Sequence, residues 1–389
     1  MKKLVLIIMA FGFSNLKAQI NANEQDVMGR SGESNIISTA ASFLLISPDS
    51  RAAGMGDASV ATTPDINSQH WNPSKYVFET HRSGVAGSYT PWLRNYVDDM
   101  NIAYLCGFNK IKNHQAVGYS LTYFSLGDMT FTDYNGSALK DFKPKEFALD
   151  ASYSLKLAEN LSGGLAMRYI YSNLTGGVSI NGSEETHAGH SFAGDISIYY
   201  NKEFQIGERS SSLALGANIS NIGTKLSYTS NSQNFIPTNL KLGLNYKLDI
   251  DEYNSVSLAF DVNKLLVPTP PIYNSTGDSI LAGKNDDVSV PVGIFQSFSD
   301  APGGFKEELK EISYSLGLEY WYSNTFAGRI GYFTEHKDKG GRKYFTFGIG
   351  LNIKSFTFDF AYLVTTTQSN PLQNTIRFSL GFYLDKSKK

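Results

Sequence analysis

The sequence predicts an all-β protein, a 14-stranded antiparallel transmembrane β-barrel whose lumen is plugged by an N-terminal hatch of short helices. From about residue 84 to the end, stretches of about nine to thirteen residues alternate apolar with small or polar positions, and a break follows each stretch. Many apolar faces carry Tyr or Phe, as the aromatic girdles of a membrane barrel do. After the N-terminus no run of about eighteen apolar residues occurs, which excludes membrane-spanning helices.

The first element is a signal peptide for export, at residues 1–18. Lys2 and Lys3 precede an apolar run from Leu4 to Phe13, and the small residue Ala18 ends the segment. Because this run is too short to span a bilayer as an anchor, the segment predicts export and release of the mature chain. Combined with a transmembrane barrel, it predicts the outer membrane of a Gram-negative bacterium as the location of the protein.

Residues 19–82 are predicted to form the hatch. They do not alternate: the apolar stretch from Ile36 to Ile46 has the character of a short helix ended by Ser47 and Pro48, and a Gly-, Ala- and Asp-rich stretch follows at 49–65. Such a segment cannot add strands to the barrel wall. A barrel of about fourteen strands has a lumen wider than its own side chains fill, so we expect the segment to occupy the lumen.

The barrel follows over residues 83–389, and its last strand illustrates the two faces of the wall. Phe378 and Leu380 lie on an apolar face that suits lipid, whereas Arg377 and Ser379 lie on the opposite face, which suits a wet lumen. The same pattern predicts strands at about 84–91, 99–109, 115–126, 145–157, 163–173, 192–204, 211–220, 238–248, 255–263, 312–322, 326–334, 343–353, 356–364 and 374–384.

Short breaks alternate with longer ones along the barrel, which is the asymmetry between periplasmic turns and extracellular loops. The longest stretch without strand character is residues 265–311. Loops of that length are usually functional or disordered, and the aromatic side chains here favour a loop that is folded or bound to a partner. The breaks predicted to be extracellular are 92–98, 127–144, 174–191, 221–237, 264–311, 335–342 and 365–373.

Composition and motifs argue against several classes of function. A formal net charge of -2 with scattered Lys and Arg offers no basic surface to nucleic acid. Cys106 is the only cysteine, so the chain has no internal disulfide. No Gly-x-Ser-x-Gly elbow occurs and no Ser or His stands in an activating context, so we predict neither an enzyme nor a cofactor site. His187 and His190 lie close together, but a Gly-rich loop leaves them unoriented, and we predict no metal site.

Charged residues also occur on the faces predicted to line the lumen. For any one of them, pairing in a polar, watery interior is the simpler expectation, and the alternative is that they hold the hatch or line a pore. They are Asp150, Lys156, Arg168, Asp195, Lys241, Lys247, Asp261, Glu319, Arg329, Asp359 and Arg377.

Three stretches of the N-terminal segment carry a family resemblance. Residues 40–51 have the sequence AASFLLISPDSR, residues 54–58 are GMGDA, and residues 67–75 are NSQHWNPSK. Together they closely resemble the N-terminal region of the PorV family, outer-membrane proteins of the type IX secretion system. That family belongs to the wider FadL-like barrels, which have fourteen strands and a lumenal hatch with an Asn-Pro-Ala motif. Asn72 and Pro73 match the motif, and Ser74 stands where the wider family has Ala.

The resemblance implies a carrier that performs no chemistry. PorV-like proteins bind the C-terminal signal domain of exported cargo as it leaves the translocon barrel SprA, also called Sov, and deliver it to a surface attachment complex that contains the sortase PorU. Aromatic residues in outward loops suit such a contact, because buried rings supply much of the energy at interfaces. The candidate partner-binding residues are Trp92, Tyr273, Phe295, Phe298 and Phe305.

Each candidate also has a simpler structural interpretation. Trp92 can be an anchor at the membrane interface, and the other four can pack the long loop onto itself. A different function on the same fold is a FadL-type channel for the uptake of hydrophobic small molecules, and a third is a purely structural scaffold. A channel should form a continuous apolar groove into the lumen. A carrier should present apolar residues outward over a sealed plug.

Overall fold

The computed structural model describes residues 35–94, 97, 99–132, 137–177, 186–230, 232–274, 278–366 and 370–385. The predicted signal peptide, residues 1–18, lies outside the described residues. Among the residues that are described, no helix has both the length and the apolar character needed to cross a membrane.

Residues 35–82 carry four short helical turns. These are η1 (Ser42–Leu45), α1 (Ser50–Ala53), α2 (Ser68–Trp71) and η2 (Pro73–Phe78). The predicted helix from Ile36 to Ile46 is wrong in extent, because only the single 3-10 turn η1 forms there. The chain cannot be helical before it, since Ala41 has a left-handed backbone with φ of 51° and the Ala40 amide donates to the Phe235 carbonyl at 2.9 Å.

Fourteen strands form one closed antiparallel barrel, and the first strand pairs with the last to close it. The predicted fold class is therefore confirmed, and the strand ends differ from the predicted ones by at most about three residues. The barrel strands are β1 (Ser83–Pro91), β2 (Asn101–Lys112), β3 (Gln115–Ser125), β6 (Lys145–Ala158), β7 (Leu161–Asn173), β8 (Gly189–Ile206), β9 (Arg209–Gly223), β10 (Asn239–Asp249), β11 (Asn254–Leu265), β14 (Ile312–Tyr322), β15 (Phe326–Thr334), β16 (Lys343–Ile353), β17 (Phe356–Thr365) and β18 (Ile376–Tyr383).

The two faces of the wall are the predicted ones. On β18 the side chains of Arg377 and Ser379 are buried, whereas Phe378 and Leu380 are 38% and 62% exposed. The same alternation of buried polar and exposed apolar residues runs along the neighbouring strands. Since the period of a strand is two residues, one face of every strand meets the hatch and the other faces outward.

The remaining strands and helices lie in the long loops that connect barrel strands. The loop after β3 forms a small hairpin, and the loop after β11 contains a hairpin and two helices, so the longest loop is folded. Pro291 stands at the start of the first of these helices, where its missing N–H costs no hydrogen bond. The elements are β4 (Met129–Thr132), β5 (Ala138–Phe142), β12 (Ile272–Tyr273), β13 (Ile280–Ala282), α3 (Val290–Gln296) and α4 (Phe305–Lys310).

The segment 35–82 lies inside the barrel, because it bonds to inward-facing residues of strands on all sides. The Ser50 amide donates to Ser379 of β18 at 2.9 Å, and the Gly56 amide donates to Thr346 of β16 at 2.9 Å. Further bonds reach the opposite wall through Ser59 to Asp261 of β11, Asn218 of β9 to Trp71, Ser162 of β7 to Ser74, and Ser152 of β6 to Gln69. The described part of the predicted hatch, residues 35–82, is thus a plug that is hydrogen-bonded to the wall around its circumference.

Glycines of the wall let the hatch backbone approach closely. A Cβ at Gly331 of β15 would overlap the backbone of Met55 and Gly56. We therefore expect Gly331→Val to displace the hatch and to lower the free energy of unfolding in detergent by about 2 kcal/mol or more, as overpacked cores do. Urea titration and limited proteolysis of the hatch would measure both effects.

The matched control is Gly328→Val on the same strand. A Cβ at Gly328 meets no atom within 4 Å. This variant should keep the hatch protected and should change stability by less than about 0.5 kcal/mol. Equal effects of the two substitutions would contradict the assignment of Gly331 to a contact with the hatch.

Candidate functional site

Asn72 of the predicted hatch motif joins two parts of the hatch to each other and to the barrel wall. It caps η2, and its Oδ1 accepts from the Ser74 amide at 3.2 Å. Its Nδ2 donates to the carbonyl oxygens of Val60 and Ile198, each at 3.0 Å. Asn72 is fully buried, so these bonds form in a place where an unsatisfied amide would be costly.

Pro73 and Ser74 complete the attachment to the wall. Ser154 of β6 donates its hydroxyl to the Pro73 carbonyl at 2.7 Å, and Ser162 of β7 donates to the Ser74 carbonyl at 2.6 Å. The Ser74 hydroxyl is also hydrogen-bonded to Asn72 Oδ1. Serine at position 74 is therefore compatible with the turn, and the geometry of the motif is that of a structural anchor rather than of a ligand contact.

A buried network of charges ties the hatch to the other side of the barrel. Arg51 of the hatch donates to Glu319 of β14 through Nε at 3.0 Å and Nη2 at 2.9 Å. Its Nη1 lies 2.9 Å from Asp65, also in the hatch. Arg329 of β15 lies 2.7 Å from Glu319 and 2.6 Å from Asp359 of β17. Three of the predicted lumenal charges thus hold the hatch, directly or through a neighbour.

Other lumenal charges divide between the two predicted roles. Lys241 places its Nζ 4.1 Å from the centre of the Trp71 ring, and Asp261 accepts from the backbone amides of Ser59 and Val60 at 2.7 and 3.0 Å, so both hold the hatch. In contrast, Arg168 pairs with Asp150 and, at 3.1 Å, with Asp195 along the wall itself. This trio is an ion cluster of a polar lumen.

The hatch residues that make these contacts were not predicted from the sequence. Arg51 and Lys75 are charged residues in the segment that we expected to form a hatch of short helices, and both are buried. Lys75 donates to the Ser59 carbonyl at 3.0 Å and to Thr62 Oγ1 at 3.2 Å. Charged residues inside a segment placed in a lumen were a signal that could have predicted ion pairs with the wall.

The hatch separates two cavities of the lumen. The cavity on the loop side has a volume of about 590 Å³ and is lined partly by apolar side chains, among them Leu44 and Phe124. The cavity on the side of the short turns has a volume of about 230 Å³ and is lined by the Arg51 network. Within the described part of the chain no lining residue is common to both cavities. Among the described residues, the apolar lining of the loop-side cavity therefore does not continue into the cavity on the side of the short turns.

Aromatic side chains of the long loop point into solvent. Phe295 of α3 is 78% exposed, Phe298 after it is 50% exposed, and Phe305 of α4 is 75% exposed. Val292 and Leu309 on the same two helices are about half exposed as well. We call these five residues the loop patch. Their exposure does not agree with the simpler interpretation, in which the aromatics pack the loop onto itself.

Tyr273 and Trp92 are the two remaining candidate residues. Tyr273 belongs to the hairpin of the same loop, is 46% exposed, and donates its hydroxyl to Asp286 at 3.4 Å. Trp92 is half-buried, lines the cavity on the loop side, and lies 5.9 Å from the guanidinium carbon of Arg377. Its ring thus faces the lumen and not the bilayer, so Trp92 is not an anchor at the membrane interface.

Buried ion pairs hold helix α4 on the barrel. Lys264 at the end of β11 lies 3.0 Å from Glu308 and 2.7 Å from Glu311. Lys339, in the loop after β15, lies 2.6 Å from Glu307 and 3.0 Å from Glu311. The α4 part of the loop patch, Phe305 and Leu309, is therefore held on a frame that is fixed to the barrel, which reduces the entropy lost when a partner binds.

Asp300 gives the long loop a dependence on pH. Its Oδ2 accepts from the Thr269 amide at 3.2 Å. Burial raises the pKa of Asp300 to about 6, and the nearby Glu308 and Glu311 carboxylates add to the rise. Since the folded pKa exceeds the unfolded value, protonation stabilises the loop, and this stabilisation is lost as pH rises through about 6.

We expect backbone amides near Asp300 to exchange about fivefold more slowly at pH 5 than at pH 7, after correction for intrinsic rates, which is about 1 kcal/mol with allowance for solvent screening. Asp300→Asn should remove this difference. Asp287→Asn, a change at an exposed position of the same loop, is the control. Hydrogen exchange followed by mass spectrometry measures both, and an unchanged pH effect in Asp300→Asn would contradict the assignment.

The two close histidines contact different neighbours in the described part of the chain. His190 lies on the outer face of β8, where its Nδ1 is 2.7 Å from the Tyr169 hydroxyl, and His187 Nδ1 is 3.1 Å from the Ala188 carbonyl. Glu184 and Glu185 lie outside the described residues. Among the side chains that are described, no group of three or more His, Cys, Asp and Glu is placed to hold a metal ion.

Comparison with known proteins identifies one family. The sequence model described as "Type IX secretion system protein PorV" matches residues 30–272, which is more than half of the chain. No curated protein matches the chain in sequence.

Solved structures similar to the chain include two toluene transporters. TodX of Pseudomonas putida is 11% identical, with a TM-score of 0.46 over 85% of this chain and 95% of that one. TbuX of Ralstonia pickettii is 10% identical, with a TM-score of 0.46 over 86% and 97% of the two chains. A FadL homologue of Pseudomonas aeruginosa is 10% identical, with a TM-score of 0.43 over 90% and 99%.

Proposed function

The chain belongs to the PorV family of type IX secretion system proteins, and from that premise we propose that it binds the C-terminal signal domain of exported cargo. Membership makes it an outer-membrane β-barrel component of type IX secretion. In the proposal, the cargo domain is received at an SprA/Sov-type translocon barrel and handed to a surface attachment complex with a PorU-type sortase. The protein binds and releases its cargo and catalyses no reaction.

One observation supports a carrier most strongly: exposed apolar side chains stand outward, above a plug that is bonded to the barrel on all sides. Phe295 and Phe305 are each at least about three-quarters exposed. Exposure of aromatic rings of this size to water is unfavourable, and their burial against a partner lowers the free energy of the complex. Since the apolar lining of the loop-side cavity does not continue into the second cavity among the described residues, we assign the contact with a partner to the exposed outer surface.

The loop patch is suited to reversible binding of a partner. Three phenylalanine rings can supply the few strongly contributing contacts that dominate a protein interface. A small interface with such a centre binds a partner without holding it permanently, which a carrier requires. The ion pairs of Lys264 and Lys339 keep α4 in place in the free protein, so little reorganisation accompanies binding.

A second candidate function is a FadL-type channel for hydrophobic small molecules. The observation in its favour is the cavity of about 590 Å³ on the loop side, which has apolar lining residues such as Leu44 and Trp92. That volume is in the range of a binding site for a small ligand. Transport would require the hatch to release Arg51 from Glu319 and to open a path to the cavity below it.

Isolation of the tagged protein from native outer membranes after chemical crosslinking tests the proposal. We expect cargo C-terminal domains and an SprA/Sov-type barrel in the crosslinked fraction, and an untagged strain as control should yield neither. Recovery of neither partner, together with saturable fatty-acid uptake that depends on the protein, would support the channel. A deletion strain that secretes cargo normally would leave only a structural scaffold.

A further inference from the structure

A groove lies on the outside of the barrel at its extracellular edge. It has a volume of about 740 Å³ and runs between helix α4 and the loop after β15. Its apolar residues are Leu309, Ile312 and Tyr314, and its basic residues include Lys337 and Lys343. We call it the rim groove. It opens on the outside of the barrel, and it shares Glu335 with the lining of the loop-side cavity and Leu309 with the loop patch, whereas the three phenylalanines of the carrier proposal lie outside it.

Strand register places the rim groove at the upper border of the lipid-facing surface. Tyr314 pairs with Thr334, and Thr334 pairs with Lys343, so these three side chains form one row across β14, β15 and β16. Below the row, Leu316 and Leu318 continue the exposed apolar face of β14. Tyrosine and lysine at the edge of an exposed apolar face are typical of the level where the hydrocarbon of a bilayer gives way to lipid headgroups.

The acidic groups around the rim groove are already paired. Glu335 is held by Arg342 at 2.9 Å. Asp338 is held by Lys310 at 2.8 Å, and His336 approaches the same carboxylate at 3.5 Å.

Lys337 and Lys343, in contrast, form no ion pair within the described residues, and both are exposed. Within the described residues, the ammonium groups of Lys337 and Lys343 thus lie beside the apolar residues of the rim groove without a paired carboxylate. Each basic residue near a membrane surface contributes to the attraction of anionic headgroups.

From this arrangement we propose that the rim groove binds a phosphate-bearing lipid of the outer leaflet. Lys337 and Lys343 contact the phosphate, and the acyl chains lie along Leu309, Ile312 and Tyr314. A groove that opens sideways at the level of the headgroups faces lipid and not bulk water. The apolar floor selects a lipid over a free phosphate, and the two lysines select an anionic lipid over a zwitterionic one.

Native mass spectrometry of the intact protein in detergent tests the proposal, with lipid A as the probe and phosphatidylethanolamine as the comparison. The wild-type protein should retain lipid A, and the double variant Lys337→Glu/Lys343→Glu should bind it about tenfold more weakly. The control with the same change in charge is Lys112→Glu/Lys202→Glu, which places two exposed substitutions at the opposite end of the barrel. It should bind lipid A as the wild type does.

Three results would overturn the assignment. The first is equal retention of lipid A by the Lys337→Glu/Lys343→Glu variant and the wild type. The second is equal retention of phosphatidylethanolamine and lipid A by the wild type. The third is displacement of lipid A by millimolar inorganic phosphate, since that would show recognition of a free anion. Electrophoretic mobility before and after heating verifies that each variant is a folded barrel, so a loss of binding reports on the groove.

Discussion

Replacement of Phe295, Phe298 and Phe305 by serine in one variant is expected to abolish secretion of cargo while the barrel still folds. Truncation of a central aromatic residue at an interface costs about 2 kcal/mol or more, so three such changes lower affinity by more than about a thousandfold. The three side chains are exposed, so their replacement removes little that stabilises the free protein. Secretion is measured as the fraction of cargo at the cell surface.

The matched control is an exposed aromatic residue at the other end of the barrel. Tyr253 lies in the short turn before β11 and is 59% exposed. Tyr253→Ser should leave secretion unchanged at the same level of protein in the membrane. If the triple variant secreted cargo normally and still crosslinked to its C-terminal domain, the loop patch would not be the binding surface, and the hairpin with Tyr273 would be the next candidate.

Point substitutions test this surface more sharply than deletion of the loop does. A deletion from Pro268 to Pro302 would remove Asp300, whose backbone amide donates to Glu308 at 2.7 Å. Glu308 in turn pairs with Lys264. The deletion would therefore disturb the ion pairs that hold α4, and a secretion defect would not distinguish a lost contact from a displaced loop.

The strands of the barrel could be predicted from the sequence because their signal is local. A period of two residues is visible within about ten residues of chain, and Arg377 or Lys241 on one face of an otherwise apolar strand already indicates a wet interior. The order of the strands needed little long-range information, since every pair except β1 with β18 joins barrel strands that follow one another along the chain. The hatch could be placed in the lumen by exclusion, because it cannot be part of the wall.

The pairs of residues that contact each other within the lumen could not be predicted in the same way. Arg51 and Glu319 are separated by 268 positions in the sequence, and no local pattern relates them. The helices of the long loop are also too short for a helical period to identify, since α4 has six residues. Trp92 faces the lumen because of the strand that precedes it, although its loop alone suggested an interfacial or partner-facing position.

Glu319→Leu is expected to have the largest effect on stability of any single change in the hatch network. The substitution leaves the guanidinium groups of Arg51 and Arg329 in a buried site with fewer partners. Removal of one member of a buried ion pair costs about 3 to 5 kcal/mol, because the remaining charge stays desolvated. Urea unfolding in detergent should show this loss, and conductance in planar bilayers should rise as the hatch loosens.

A double-mutant cycle separates the contact between hatch and wall from the general cost of the substitution. Arg51→Leu alone leaves Glu319 paired with Arg329, so we expect a smaller loss, and Arg51→Leu/Glu319→Leu should be less destabilised than the sum of the single variants. Additive losses would show that Arg51 does not fasten the hatch through Glu319. Strong coupling with raised conductance in Glu319→Leu, but unchanged secretion, would show that the hatch seals the lumen and that binding of cargo takes place on the outer surface.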